Sequence, residues 1–298
     1  VATELRHPHT GGLHSLDVPA LVGVFNDSLA EVQRAMQAGA PALAAFIGAV
    51  ESGFCARGGR LVYVGAGTSG RLGVLDASEV PPTFGVEGDR VIGVIAGGDS
   101  ALRRSSEGME DDPQGAAESL AGLGLSDADA VLAIAAGGTT PYALGSLVLA
   151  KRLAPGCVTG LLTCAPVGKV QGCDHVICLP TGPEVLTGST RLKAGTATKL
   201  ALNTISTALM VRSGRVYGNL MVDVRATNDK LLDRAARVVS QVTGAPRAEA
   251  LELVRAAGGR AKVAIVMRAR AMGRAAAEGA LEAAGGRLDR VLDGAPGA

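Results

Sequence analysis

The sequence predicts an α/β protein, with a five-stranded parallel sheet flanked by helices in a three-layer sandwich and a small C-terminal helical bundle. Two observations predict it. Short apolar runs at 60–64, 91–96, 130–135, 158–164 and 176–179 alternate with longer helical stretches, and each run ends in Gly-, Pro- or Ser/Thr-rich sequence. The composition agrees, with 42 Gly among abundant Ala, Val and Leu, as suits tight turns and buried parallel strands under Ala-rich helices.

Taken in order, residues 1–17 read as a polar arm, and 18–57 as two helical patterns interrupted near Gly39-Ala40-Pro41. The strand–helix alternation follows. The Ala/Leu-rich stretch 190–212 predicts a long helix, and beyond Val224 the pattern is purely helical, with breaks at Thr243-Gly244, Gly258-Gly259 and Gly285-Gly286. The expected division is an arm with helices (1–57), a ligand-binding domain (58–225) and a helical, UBA-like domain (226–298).

Charge and composition exclude several classes. With 29 Lys+Arg against 28 Asp+Glu, no strongly basic face is expected, which argues against nucleic acid. Aromatics at 2% leave little for base stacking or sugar shelves. Cys55, Cys157, Cys164, Cys173 and Cys178 form no CxxC pair and read as reduced residues, and the four His form no ligand cluster, so no metal is expected. No membrane span or leader is read from the sequence; a soluble, cytoplasmic protein is expected.

Ligands of such sheets bind outside the carboxyl ends of the strands. The first strand runs into Gly65-Ala66-Gly67-Thr68-Ser69-Gly70, formally a dinucleotide fingerprint. Two features disfavour a dinucleotide. Pro81-Pro82 is expected to stop the following helix early, and the second strand ends in Ala96-Gly97-Gly98 with no acidic residue to hold a ribose. Backbone N–H groups of Gly67 to Gly70 with the hydroxyls of Thr68 and Ser69, at a helix N-terminus, suit a compact phosphomonoester. A turn serving packing alone is the alternative. There is no Walker loop, because Gly168-Lys169 is followed by Val170. The third strand ends in a similar loop, Gly137-Gly138-Thr139-Thr140-Pro141, so two hydroxyl-bearing loops are expected to converge on one sugar phosphate.

The stretch VGAGTSGRLGVLDASEVPPTFG (64–85) closely resembles the N-acetylmuramic acid 6-phosphate etherase family, whose fold is the sugar-isomerase (SIS) fold. The likeness continues through IAGGDSALRRSSEGMED (95–111), GSTRLKAGTATKLALN (188–203), GNLMVDVRATNDKL (218–231) and the arm's Thr3-Glu4 and Arg6. The resemblance implies a carbon–oxygen lyase that removes D-lactate from carbon 3 of the sugar in cell-wall recycling, without a cofactor. It implies Glu79 as the acid, Glu110 as the base, and a homodimer with active sites near the subunit interface. Glu79 gains some support from the residues themselves. Val80 precedes a proline, so the helix is expected to end near Glu79, where the negative end of its dipole favours the protonated form an acid needs. Read without the motif, Glu79 is a solvated helix-end glutamate, and Glu110, crowded by Glu107, Asp111 and Asp112, a solvated face.

Ser189 and Lys193, with Arg191 beside them, are further candidates to hold phosphate or the lactyl carboxylate, the alternative being first-turn residues paired with solvent. The third-strand loop departs from the family pattern Ser-Gly-Arg-Thr-Pro-Tyr. Gly137 lacks the serine hydroxyl and Thr139 the guanidinium, so Ser69, Thr140 and backbone amides are expected to hold the phosphate. The competing functions are a non-catalytic sugar-phosphate sensor similar to glucokinase regulatory protein, disfavoured by both glutamates and a single set of motifs, and an aldose–ketose isomerase.

Overall fold

In the computed structural model the described residues are 1–294 except 105, 225 and 227; these three positions of the quoted motifs lie outside it. Two helices come first, α1 (Val18–Asp27) and α2 (Leu29–Ala56). The sheet strands are β1 (Leu61–Gly65), β2 (Val91–Ile95), β3 (Ala130–Ile134), β4 (Val158–Thr163) and β5 (His175–Cys178), each within a residue or so of its expected run. Between them lie α3 (Gly67–Phe84), α4 (Ala117–Leu123) and α5 (Pro141–Leu153), and α6 (Lys193–Arg212) follows β5.

The sheet is parallel throughout, in the order β2-β1-β3-β4-β5. Every residue of β1 and β3 is buried, as expected of central strands covered on both faces. Val62, Val64 and Val131 pack under Leu120 of α4 and Tyr142, Leu149 and Ala150 of α5. On the opposite face Tyr63 Oη donates to Asp76 Oδ2 on α3 at 2.9 Å, and Asp76 Oδ1 accepts from Asn203 Nδ2 (2.6 Å) and Ser206 Oγ (3.2 Å) on α6. This buried knot ties β1, α3 and α6 together, and burial with the neighbouring Asp76 charge pushes the Tyr63 phenol well above its ordinary value.

Two expected helix breaks are absent. α2 continues through Gly39-Ala40-Pro41, and the chain breaks earlier, at Ser28. Pro41 removes one hydrogen bond from a helix held by eight buried positions from Val32 to Phe54. Gly39 serves close packing: a β-carbon there would lie 2.9 Å from Cys178 O. Likewise α3 runs through Pro81-Pro82 to Phe84, where Gly85 N–H bonds Pro81 O, so Glu79 is not at the helix end. The dipole argument for Glu79 therefore fails.

An 18-residue window within Val18–Ala56 is apolar enough to span a membrane, with a mean hydropathy of 1.4, contrary to the sequence reading. The buried face of α2 is that of a core helix. The short α1 buries no residue and leaves Val18, Val22 and Phe25, with Leu29 of α2, exposed at helical spacing.

The chain divides into two compact units, 1–78 with 88–207, and 79–87 with 208–298; the expected boundaries at 57/58 and 225/226 do not coincide with it. The second unit holds a small hairpin, β6 (Val216–Tyr217) and β7 (Leu220–Met221), unseen in the sequence. It also holds α7 (Asp229–Thr243), α8 (Arg247–Ala256), α9 (Ala261–Ala269), α10 (Arg274–Ala283) and α11 (Leu288–Leu292), packed round Val239, Val254, Ile265 and Leu281. Lys262 is buried there, its ammonium donating to Asp223 Oδ2 and to the carbonyls of Gly214 and Gly286.

Candidate active site

Strand order reverses between β1 and β3, the switch point at which a sheet of this order opens a crevice. A cavity of about 380 Å³ lies there, a volume ordinary for a small-molecule site. It is lined by Ala66 to Ser69 after β1, Ala136, Gly137, Thr139 and Thr140 after β3, Glu110, Glu4, and Thr190, Gly195 and Thr198 around the start of α6.

The β1 loop reaches it because Gly67 adopts φ +52, a left-handed turn that glycine tolerates, at the first residue of α3. Gly70 packs instead: its N–H bonds Ala66 O at 3.1 Å, and a β-carbon there would stand 2.6 Å from Gly65 O. In the β3 loop Gly138 (φ +71) closes a turn onto Ala135 O at 2.9 Å and faces an adjacent, more apolar cavity. Thr140 stands at the N-cap of α5 but makes no side-chain capping bond. Among the described residues the hydroxyls of Thr68, Ser69, Thr139 and Thr140 have no protein partner, although all four line the cavity. Two loops thus present unsatisfied hydroxyls at the N-terminal ends of α3 and α5, the arrangement that receives an oxyanion.

Glu110 comes from the segment after β2, and its Oε1 lies 3.0 Å from where Gly67 would carry a β-carbon. Its carbonyl accepts from Tyr142 N–H, the second residue of α5, at 3.0 Å. Among the described residues Arg71 is the one cation in the lining, and its guanidinium donates to the carbonyls of Ala101, Leu102 and Arg104, securing the loop after β2.

Other expected site residues lie elsewhere. Lys193 is buried, its ammonium paired with Glu31 of α2, outside the cavity lining. Burial opposes the charge on Glu31, but Lys193 and His7 outweigh it and hold the carboxyl below its usual range. The first amides of α6 are also taken: Glu184, fully buried, accepts from Lys193 N and Ala194 N, each at 2.9 Å. That carboxylate cap occupies the place an anion would take, a contact between distant segments with no local sequence signal. Ser189 and Arg191 are not in the lining either; their neighbour Thr190 is. Glu79 is exposed on the part of α3 that belongs to the second unit. Sequence reasoning passed over Glu4, Arg71, Gly195 and Thr198 as cavity residues, although the arm's Thr3-Glu4 carried part of the resemblance.

The fold is an α/β fold of the SIS class, and residues 44–151 match the family described as glucokinase regulatory protein N-terminal SIS domain. A phosphoheptose isomerase from Francisella tularensis aligns over 65% of this chain and 98% of its own, with 20% identity and a TM-score of 0.49. Much nearer are three N-acetylmuramic acid 6-phosphate etherases. That of Gloeobacter violaceus is 51% identical over 98% of this chain and 95% of its own. The Deinococcus radiodurans protein is 47% identical over 97% and 94%, and the Salmonella agona protein 45% over 98% and 98%. The chain belongs to the N-acetylmuramic acid 6-phosphate etherase family.

Proposed function

We propose that the cavity is the active site of a carbon–oxygen lyase that converts N-acetylmuramic acid 6-phosphate and water to N-acetylglucosamine 6-phosphate and D-lactate. The observation that carries the reading is the set of unpartnered hydroxyls of Thr68, Ser69, Thr139 and Thr140 sharing one cavity with Glu110. It is joined to 45–51% identity with etherases along nearly the whole chain. The hydroxyls and the N-terminal ends of α3 and α5 hold the phosphate.

The chemistry follows from the substrate. An ether oxygen is a poor leaving group, but in the open-chain sugar the carbon 2 proton is acidic beside the aldehyde. Glu110 removes that proton. The electron pair forms the C2–C3 double bond, and the C3–O bond breaks as an acid protonates the lactyl oxygen. Water then adds at carbon 3, and a proton returns to carbon 2. Two carboxyl groups in different protonation states suffice. Glu79 is not among the residues that line this cavity, and the acid role is given to it on the resemblance of its motif alone.

The same reading places the reaction in cell-wall recycling and in the cytoplasm; five cysteines that form no disulfide among the described residues fit a reducing compartment. A homodimer fits the exposed seam of Val18, Val22, Phe25 and Leu29, which a second copy would cover. The sensor reading draws on the match over 44–151, but the etherase likeness spans almost the entire chain.

The test is incubation with N-acetylmuramic acid 6-phosphate and an assay for lactate, alongside Glu110→Gln. Lactate from the wild type is expected, with both carbon 2 proton exchange and lactate release lost in the variant. Tight binding of the substrate without lactate would make the protein a sensor.

A further inference from the structure

The N-terminal arm is docked, not trailing. Ala2–Glu4 forms a 3₁₀ turn, and Thr3 within it is fully buried, its hydroxyl lacking a partner among the described residues. A β-carbon on Gly137 would lie 3.5 Å from Val1 Cγ1 and 3.9 Å from Thr3 Oγ1, so the arm lies against the loop after β3. The next residue, Glu4, lines the polar cavity, with Oε2 3.1 Å from where Gly188 would carry a β-carbon. Among the described residues its carboxylate has no hydrogen-bond or ionic partner. Arg71, the cation of the lining, is engaged by backbone carbonyls.

A lone carboxylate facing a cavity accepts hydrogen bonds and repels anions. The substrate class proposed above carries two anionic groups, the phosphate and the lactyl carboxylate, and neither is stable against Glu4. Between them the open-chain sugar offers hydroxyl and acetamido N–H donors, which a carboxylate accepts strongly. The phosphate belongs with the hydroxyls and helix N-termini of the loops after β1 and β3.

We propose that Glu4 is a specificity-determining residue that accepts hydrogen bonds from the donors of the amino-sugar chain, so that the arm supplies the part of the site that reads the sugar. This rests on the cavity being the etherase site. Glu4 is a binding residue and takes no part in proton transfer.

The experiment measures dissociation constants of N-acetylglucosamine 6-phosphate and inorganic phosphate for wild type, Glu4→Gln and Glu4→Ala, together with kcat and KM for lactate release. In Glu4→Ala the preference for the sugar phosphate over inorganic phosphate is expected to fall by about tenfold or more, the worth of a charge-assisted hydrogen bond. Glu4→Gln, which keeps one acceptor, should fall less. KM should rise in both, with kcat within about threefold of wild type. An unchanged preference in both variants overturns the assignment, and so does a kcat lowered a hundredfold at constant KM, which would make Glu4 a proton donor. A wild type that binds the sugar phosphate but releases no lactate overturns the etherase reading instead, and the binding ratios still decide the role of Glu4.

Discussion

Glu110 Oε1 lies 3.0 Å from the position a β-carbon would take on Gly67, the φ +52 residue that starts α3. The proposed base and the turn of the loop proposed to hold the phosphate are therefore one packing unit. The positive end of α3 is beside the carboxylate, a favourable place for a group that works as an anion.

Gly67→Ala tests that contact. A left-handed φ costs an alanine roughly 1–2 kcal/mol, and the added methyl must displace the carboxylate. The melting temperature should fall by a few degrees. Carbon 2 proton exchange should fall at least about tenfold, since small misplacements of a catalytic group are costly. Exchange at the wild-type rate would remove Glu110 from the role of base.

Gly137 is a different kind of glycine. Its backbone is not left-handed, and the nearest atom to an added β-carbon is 3.5 Å away, so a serine fits. Gly137→Ser should lower KM by about tenfold by restoring a charge-assisted hydrogen bond to phosphate, and Thr140→Ala should raise it several-fold. Both leave carbon 2 exchange at saturating substrate intact. If neither changes KM or inhibition by inorganic phosphate, the loop after β3 does not hold the phosphate.

Glu184 is expected to matter for stability and not for the substrate. Glu184→Ala strips two buried amides of α6 of their acceptor and should cost about 3 kcal/mol in urea unfolding. Inhibition by inorganic phosphate should be unchanged, because the cap lies outside the cavity lining. A large change in phosphate inhibition would put the start of α6 back into the phosphate site.

These residues also mark what was legible in the sequence. The strands were, because each is a buried apolar run closed by turn residues, and so were the two hydroxyl loops at their ends. Helix continuity across Pro41 and Pro81-Pro82 was not, because packing along α2 and α3 offsets the hydrogen bonds a proline removes. Lys193 resembled a phosphate ligand, and its pairing with Glu31 joins residues far apart in the chain. Glu4 was visible only as part of a motif, since its place in the cavity depends on the burial of Thr3.

Arg60 and Asp129 clamp the starts of β1 and β3, with Asp129 Oδ2 2.8 Å from Arg60 Nη2 and Oδ1 accepting from Arg60 N at 2.6 Å. Burial works to raise the Asp129 carboxyl, but hydrogen bonds from Arg60 and Ser126 outweigh it and hold it below the ordinary 3.8. A carboxyl depressed on folding contributes stability that is complete above its unfolded value and disappears as pH falls through its folded value. Asp129→Asn should therefore be less stable than wild type at pH 7, the gap closing progressively below about pH 4. A gap that does not depend on pH would mean that the carboxylate charge contributes nothing.

The most direct test of the central claim, that this cavity cleaves the ether by elimination and water addition, is the fate of solvent oxygen. With N-acetylmuramic acid 6-phosphate in ¹⁸O-labelled water, mass spectrometry should find the label on carbon 3 of N-acetylglucosamine 6-phosphate, with the lactyl oxygen that left carbon 3 unlabelled. Label at that position of lactate would mean cleavage on the lactyl side of the ether, and would contradict the roles given to Glu110 and Glu79.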